Sequence, residues 1–393
     1  MQSYKYLILG GGMTADAAVN GIREADATGS IGLLTSEPNA PYNRPPLTKG
    51  LWKGDALDSI WRGTEKHGAT LHPGRTAVAI DAKNKTVTDD AGTAYRFEKL
   101  LIATGATPRR LPFGDDSIIY YRTLQDYERL RTLTGQGRRF AVIGGGFIGW
   151  EIAAALAMNG KEVVMLFPDE TIGARFYPLD LGRFLNNYYA HKAVNVVAAS
   201  TVIGMENSAQ GARVKTRNHG EFPVDGVIAG IGVTPNVELA QSAGLKVDDG
   251  IVVDEFLRTS HPDIYAAGDV ANFFNPALAR RLRVEHEDNA NTMGRAAGNA
   301  MAGKASPYHH LPFFYSDLFE LGYEAVGEVD ARLETFADWK EPYREGVVYY
   351  LRDGRVRGVL LWNVWGQVDA ARELIAAPDA VGTADLKGRI GNK

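Results

Sequence analysis

Two glycine-rich turns carry the first chemistry that can be read from the chain. The stretch LILGGGMTA sets Gly10, Gly12 and Ala15 at a G-x-G-x-x-A spacing. The stretch AVIGGGFIGWE sets Gly144, Gly146 and Gly149 at G-x-G-x-x-G, with Gly145, Phe147 and Ile148 between them. Each follows an apolar, strand-like run and opens a helical pattern. Such a turn cradles a pyrophosphate: the first glycine permits the tight turn and the second lets the phosphate approach the backbone. The small third residue lets helix and strand pack closely. The phosphate then rests on the positive N-terminus of the helix.

The residues that follow each turn suggest which nucleotide it holds. After the first, a strand at 31–35 leads to Glu37, an acid placed for ribose hydroxyls. After the second, the strand at 163–167 has no acid at its tip, and Asp169 follows behind Pro168. Asp169 is assigned to the adenosine ribose, where an acid opposes a 2′-phosphate and favours NADH. Arg175 nearby is what a 2′-phosphate would want, so NADPH stays in view. In LLIATGATPR a buried strand at 99–105 ends in Ala103, Thr104 and Gly105, expected to cross beneath the first nucleotide. In DIYAAGDVA (263–271), Asp269 is expected to open a helix. There it accepts hydrogen bonds from the ribityl chain of a flavin, caps the helix, or does both. Val78 is expected against an adenine. Together these segments point to a protein with two dinucleotides, FAD in the first module and a nicotinamide nucleotide in the second.

Short Val/Ile/Leu runs alternate with helical patterns, the signature of an α/β chain with parallel sheets. The units at 6–25 and 140–160 repeat one plan, so two doubly wound, Rossmann-like dinucleotide-binding domains are expected. Short strands at 78–80 and 86–88, joined by a turn at 89–92, read as a meander. An apolar strand at 227–232 hands over to a short helix at 236–244. Residues 307–312 read as a linker to a small C-terminal α+β domain, with strands near 346–351 and 356–362, a helix at 367–375 and a polar tail. The expected domains are 1–111 with 235–305 for FAD, 112–234 for NAD(H), and 306–393.

Composition narrows the chemistry. A chain of 393 residues that is 45% hydrophobic and 23% charged can build two or three well-cored domains. A net charge of −4 gives no reason to expect nucleic acid. Arg280, Arg281 and Arg283 read as a solvated or ligand-edge loop. No run approaches the roughly 18–20 apolar residues of a membrane span. The chain opens on a strand-like run, so a cytoplasmic location is expected. There is no cysteine, which excludes disulfide exchange, thiolate catalysis, cysteine-ligated iron–sulfur clusters and cysteine-based zinc sites. No metal is expected.

Longer motifs carry a resemblance. PYNRPPLTKGLW (41–52), GGGFIGWE (144–151), LFPDE (166–170), GVTPNVELA (232–240), RVEHEDNA (283–290), FYSDLFELGYEAVG (314–327) and VVYYLRDGRVRGVLLWN (347–363) span nearly the whole chain. The chain resembles the cysteine-free branch of the FAD-dependent pyridine nucleotide-disulfide oxidoreductases. That branch includes ferredoxin reductases, monodehydroascorbate reductases and, most similar of all, apoptosis-inducing factor. The resemblance implies a glutathione-reductase-like arrangement of the two modules. It implies FAD contacts from Arg44, Lys49, Val78, Arg109, Asp269, His286, Glu287 and Tyr315. It implies nicotinamide-nucleotide contacts from Trp61, Phe147, Asp169, Arg175, Gly232, Glu285, His286, Tyr315 and Glu324.

Within that resemblance, Lys49 and Glu151 form the catalytic pair: the lysine reaches the flavin N5 region and the glutamate fixes its geometry. Phe147 acts as a gate between flavin and nicotinamide, and the prolines of RPP hold Arg44 against the pyrophosphate. The chain departs from the pattern at two of these positions, with Glu287 in place of a second histidine and Tyr315 in place of a tryptophan. It also lacks the long C-terminal insertion of apoptosis-inducing factor. The expected reaction passes electrons from NADH through FAD directly to an acceptor: a ferredoxin-like protein, a quinone, a radical or oxygen. A membrane quinone ranks low, because the 367–375 helix is short and the tail is polar. The alternative is a slow NADH-responsive redox sensor whose oligomeric state and partner binding follow flavin reduction. A homodimer is among the expected assemblies.

Overall fold

Tyr6, Leu7, Ile8 and Leu9 are each at most 1% exposed. Burial on both faces is what a central strand of a parallel sheet requires, and the strand Gln2–Leu9 takes that place. The structure is a computed structural model and describes residues 1–208 and 211–391. The chain forms two compact units. The first is Met1–Asn43, Asp58–Thr107 and Thr234–Phe313, and the second is Arg44–Leu57, Pro108–Val233 and Phe314–Lys393.

In the first unit, Gln2–Leu9 pairs in parallel with Ile31–Thr35 on one side and with Ala94–Ile102 on the other. Ala69–Pro73 extends the sheet beyond Ile31–Thr35. The long strand Ala94–Ile102 takes two partners along its far edge. Its start pairs antiparallel with Thr86–Asp89 of the meander, and its end pairs in parallel with Ile264–Ala266. Two helices, Met13–Ala25 and Glu287–Met301, lie side by side in this unit. Cβ atoms on Gly294 and Gly298 would stand 2.4 and 2.1 Å from the carbonyls of Thr14 and Ala18. The contacts advance together along both helices, so the helices run parallel and their N-termini open at the same end.

The second unit repeats the plan. Its parallel sheet runs Val194–Val197, Glu162–Leu166, Arg139–Ile143, Gly226–Ala229, Ile118–Tyr120. The connection from Val194–Val197 to Gly226–Ala229 is a three-stranded antiparallel sheet at 202–224, the counterpart of the meander in the first unit. Sequence reasoning missed it, because these strands bury few side chains and carry no continuous apolar run. A five-stranded C-terminal sheet completes the unit, in the order Phe313–Leu318, Leu321–Gly327, Arg355–Trp362, Glu345–Arg352, Glu334–Glu341. The helix Val368–Ala376 packs on it through Ala371, Leu374 and Ile375. The fold is thus α/β, with two doubly wound modules and a small C-terminal sheet domain.

Two local expectations need correction. Asp269 does not open an α-helix: it lies in the single 3₁₀ turn Gly268–Val270, and the chain runs straight into the strand Ala271–Asn275. Val270, Ala271 and Phe273 are drawn into the core here, which leaves no helix for Asp269 to cap. The arginine cluster is not a loop either, since Arg280–Leu282 is a strand paired with Ala271–Asn275. Arg281 there donates to the Val253 and Asn272 carbonyls.

Candidate functional site

The two glycine turns are nearly superimposable in their local chemistry. Gly10 (φ +125°) and Gly144 (φ +122°) hold left-handed backbone that other residues rarely adopt. A Cβ would stand 2.1 Å from the Ala103 carbonyl oxygen in the first and 2.2 Å from the Gly230 carbonyl oxygen in the second. Each turn hangs on the neighbouring strand, Gly10 N–H on Leu34 at 2.8 Å and Gly144 N–H on Leu166 at 2.9 Å. Each helix then starts from a glycine N-cap with no side-chain cap, Gly12 before Met13 and Gly146 before Phe147. A helix start without a side-chain cap points backbone N–H groups at an anion. The third position differs for a steric reason. Ala15 is buried without a clash, whereas a Cβ on Gly149 would lie 2.0 Å from the Gly144 carbonyl oxygen.

Around the first turn, Glu37 follows the strand Ile31–Thr35 and accepts a 2.5 Å hydrogen bond from Tyr42 Oη. Ala103, Thr104 and Gly105 run beneath the turn, with Ala103 N–H on the Leu9 carbonyl. Asn236, which sequence reasoning did not single out, clamps this segment. Its Nδ2 donates to the Thr104 carbonyl (2.8 Å), its carbonyl accepts from Thr104 Oγ1 (2.9 Å), and its N–H reaches Gly105. Val78 is 54% exposed on the strand Ala77–Asp81. Trp61, 39% exposed, meets Tyr42 edge-on at 6.1 Å.

In the same unit, Arg283 binds Glu285 (2.5 Å), Asp249 (3.1 Å) and the Asp269 carbonyl (3.3 Å). It therefore organises two of the expected site residues. His286 and Glu287 stand at the start of the helix Glu287–Met301. Burial pushes the His286 imidazole down to about 4, against the opposing pull of the Asp269 and Asp288 carboxylates. Its ring is neutral near pH 7.

In the second unit, a Cβ on Gly146 would meet nothing within 4 Å, so the space before the helix N-terminus is open for a phosphate. Phe147 is held among Phe176 (4.7 Å between ring centroids), Trp150 (4.8 Å) and Phe314 (5.3 Å). Asp169 and Arg175 are both exposed. Arg109 N–H binds the Gly232 carbonyl at 2.9 Å, and Arg44 Nη1 donates to the Arg122 carbonyl at 3.0 Å. Glu324 accepts from Gly366 N–H at 3.0 Å, which ties it to a loop of the C-terminal sheet.

A buried polar cluster surrounds Glu151. Lys49 Nζ lies 2.6 Å from Glu151 Oε1, with side chains 14% and 6% exposed. Thr48 Oγ1 donates to Glu151 Oε2 and Ser316 Oγ to Oε1, each at 2.5 Å. Tyr315 places its ring 5.3 Å below the ammonium, a cation–π contact. The turn that presents Lys49 is fixed from behind, since Tyr121 Oη and Trp52 Nε1 both donate to the Leu47 carbonyl. Removing one partner of so buried a pair leaves an uncompensated charge, at a cost of roughly 3–5 kcal/mol. Thr48 and Ser316 escaped the sequence reading because a lone hydroxyl has no spacing signature, although both lie in quoted motifs.

The expected flavin contacts thus fall in both units. Arg44, Lys49, Arg109 and Tyr315 belong to the second, and the others to the first. Among the described residues no group of acids or histidines is arranged to hold a metal ion, and no helix is long and apolar enough to cross a membrane.

Two pyrophosphate cradles on doubly wound sheets, with a buried Lys–Glu pair and no cysteine, define an oxidoreductase that handles two dinucleotides. The chain belongs to the pyridine nucleotide-disulphide oxidoreductase family, whose profile matches residues 4–294. The C-terminal domain of mitochondrion-associated apoptosis-inducing factor matches residues 297–342 and 337–377. The chain is similar to apoptosis-inducing factor 1 of Dictyostelium discoideum, with 35% identity over 95% of this chain and 79% of that one. It is also similar to the ferredoxin–NAD(+) reductase component of the anthranilate 1,2-dioxygenase system of Burkholderia cepacia, with 33% identity over 98% of each chain. Among solved structures it superposes on the covalent putidaredoxin reductase–putidaredoxin complex with a TM-score of 0.91 and 29% identity, covering 98% of this chain and 95% of that chain. The protein is an FAD-dependent NAD(P)H oxidoreductase, moving electrons from the nicotinamide nucleotide by way of the flavin.

Proposed function

We propose that the chain takes electrons from NADH in preference to NADPH and passes them through FAD to a small ferredoxin-type redox protein, with Lys49 and Glu151 as its catalytic pair. When bound, FAD accepts a hydride from the nicotinamide and can release the two electrons one at a time. The chain's own residues hold and orient the partners. The first glycine turn, Glu37 and Asp269 bind FAD; the second glycine turn and Asp169 bind the nicotinamide nucleotide. The single observation that carries the reading is the Lys49–Glu151 pair, held rigid in a chain with no cysteine to take electrons from the flavin. A buried ammonium held by a carboxylate keeps one position, which is what tuning a cofactor's electronics demands. A relative that serves as a ferredoxin–NAD(+) reductase component and a structural neighbour solved with putidaredoxin support the acceptor class.

The test is to reduce the FAD-loaded protein anaerobically with NADH and mix it with a [2Fe–2S] ferredoxin or with oxygen. The expected result is reoxidation by the ferredoxin at least tenfold faster than by air-saturated buffer. A protein that stays reduced for minutes with ferredoxins, quinones and oxygen alike would overturn the electron-transfer reading and favour a slow redox sensor.

A further inference from the structure

We infer that Ser316 is a positioning residue for flavin reduction: its hydroxyl orients Glu151, and through Glu151 the Lys49 ammonium. The inference rests on the proposed role of Lys49. It starts from an anomaly in the strand Phe313–Leu318. Phe314, Ser316 and Leu318 share its buried face, and Ser316 is 0% exposed between two large apolar side chains. A buried hydroxyl on an apolar face is costly unless it is fully hydrogen-bonded.

Its bonding directions are fixed by its partners. Trp150 Nε1, itself fully buried, stands 2.9 Å from Ser316 Oγ. An indole nitrogen can only donate, so the serine oxygen accepts from Trp150. The serine proton is then free to point at Glu151 Oε1, 2.5 Å away. The same carboxylate oxygen receives Lys49 Nζ, while Thr48 Oγ1 occupies the other. Donation therefore runs from Trp150 to Ser316 to Glu151, and Lys49 donates to the same carboxylate oxygen from the other side. The strand reinforces this arrangement on its opposite face, where Tyr315 underlies the Lys49 ammonium and Asp317 pairs with Lys53 at 3.0 Å. Three successive residues of the C-terminal sheet thus grip the helix and the turn that carry the catalytic pair.

A merely structural Ser316 would satisfy Trp150 and affect stability alone. A positioning Ser316 affects Lys49 even where the fold is intact. The experiment compares wild type with Ser316→Ala, Ser316→Cys and Ser316→Thr, each also in a Glu151→Gln background. Cysteine keeps the volume with only a weak donor, and threonine restores the hydroxyl. In the FAD-loaded protein, the limiting rate of anaerobic reduction by NADH should fall about tenfold in the Ala and Cys variants, the scale of one hydrogen bond to a charged group. The apparent NADH dissociation constant should stay unchanged, and Thr should recover the rate.

In the Glu151→Gln background the Ser316 substitutions should add nothing. In the apoprotein, acylation of Lys49 by an amine-reactive ester, read by mass spectrometry against Lys161, should accelerate in Ala and Cys but not in Thr. An unchanged Lys49-to-Lys161 ratio, or a rate loss that persists in full without the Glu151 carboxylate, would overturn the inference. Failure of the underlying reading shows separately, as a Lys49→Ala protein reduced by NADH as fast as wild type.

Discussion

Asp169 and Arg175 sit six positions apart, both exposed, and they pull nucleotide choice in opposite directions. A carboxylate accepts hydrogen bonds from a ribose diol but repels a 2′-phosphate, while a guanidinium attracts one. If Asp169 decides the outcome, Asp169→Ala should weaken NADH binding about tenfold and leave NADPH unchanged or tighter, as read by titrating each nucleotide against the FAD-loaded protein. Equal losses for both nucleotides would return the choice to Arg175. At this scale the glycine turns were legible because type and spacing coincide, and the same coincidence singles out Glu37 and Asp169 as the proposed ribose contacts. Residues that act through a partner were not legible. Asn236, Ser316 and Arg283 touch Thr104, Trp150 and the Asp269 carbonyl, which lie 132, 166 and 14 positions away, and no local pattern announces such contacts.

At the scale of elements, the two turns make a paired prediction. Alanine at Gly10 must adopt a positive φ and bring its Cβ against the Ala103 carbonyl. Gly10→Ala should therefore cost at least ~2 kcal/mol of stability in urea unfolding of the apoprotein and should lose FAD. Alanine at Gly146 projects into open space, so stability should stay within about 1 kcal/mol of wild type while nucleotide affinity falls. Equal destabilisation by both would show that Gly146 serves the fold and not a ligand. The repeat of strand, turn and helix was plain in the sequence because Leu7–Leu9 and Ala141–Ile143 are continuous buried runs ahead of glycines. The three-stranded sheet at 202–224 was hidden because its side chains are mostly half-covered or exposed. Asp269 misled for a different reason. Its Ala-Gly-Asp approach resembles a helix start, but the apolar residues after it are taken by a strand in the core.

For the whole molecule, the proposed binding lies in two cradles and the proposed catalysis in one buried ion pair. FAD is the protein's flavin and a nicotinamide nucleotide its reductant; Lys49 is the residue that links the proposed chemistry to the fold. The measurement that tests this most directly is stopped-flow bleaching of the bound flavin by NADH under anaerobic conditions, in wild type and Lys49→Ala. The account predicts that Lys49→Ala keeps its FAD and its NADH affinity, while its limiting rate of reduction falls by about 100-fold, as expected when a preorganised charge is lost from a reacting centre. Bleaching of Lys49→Ala at the wild-type rate would contradict it.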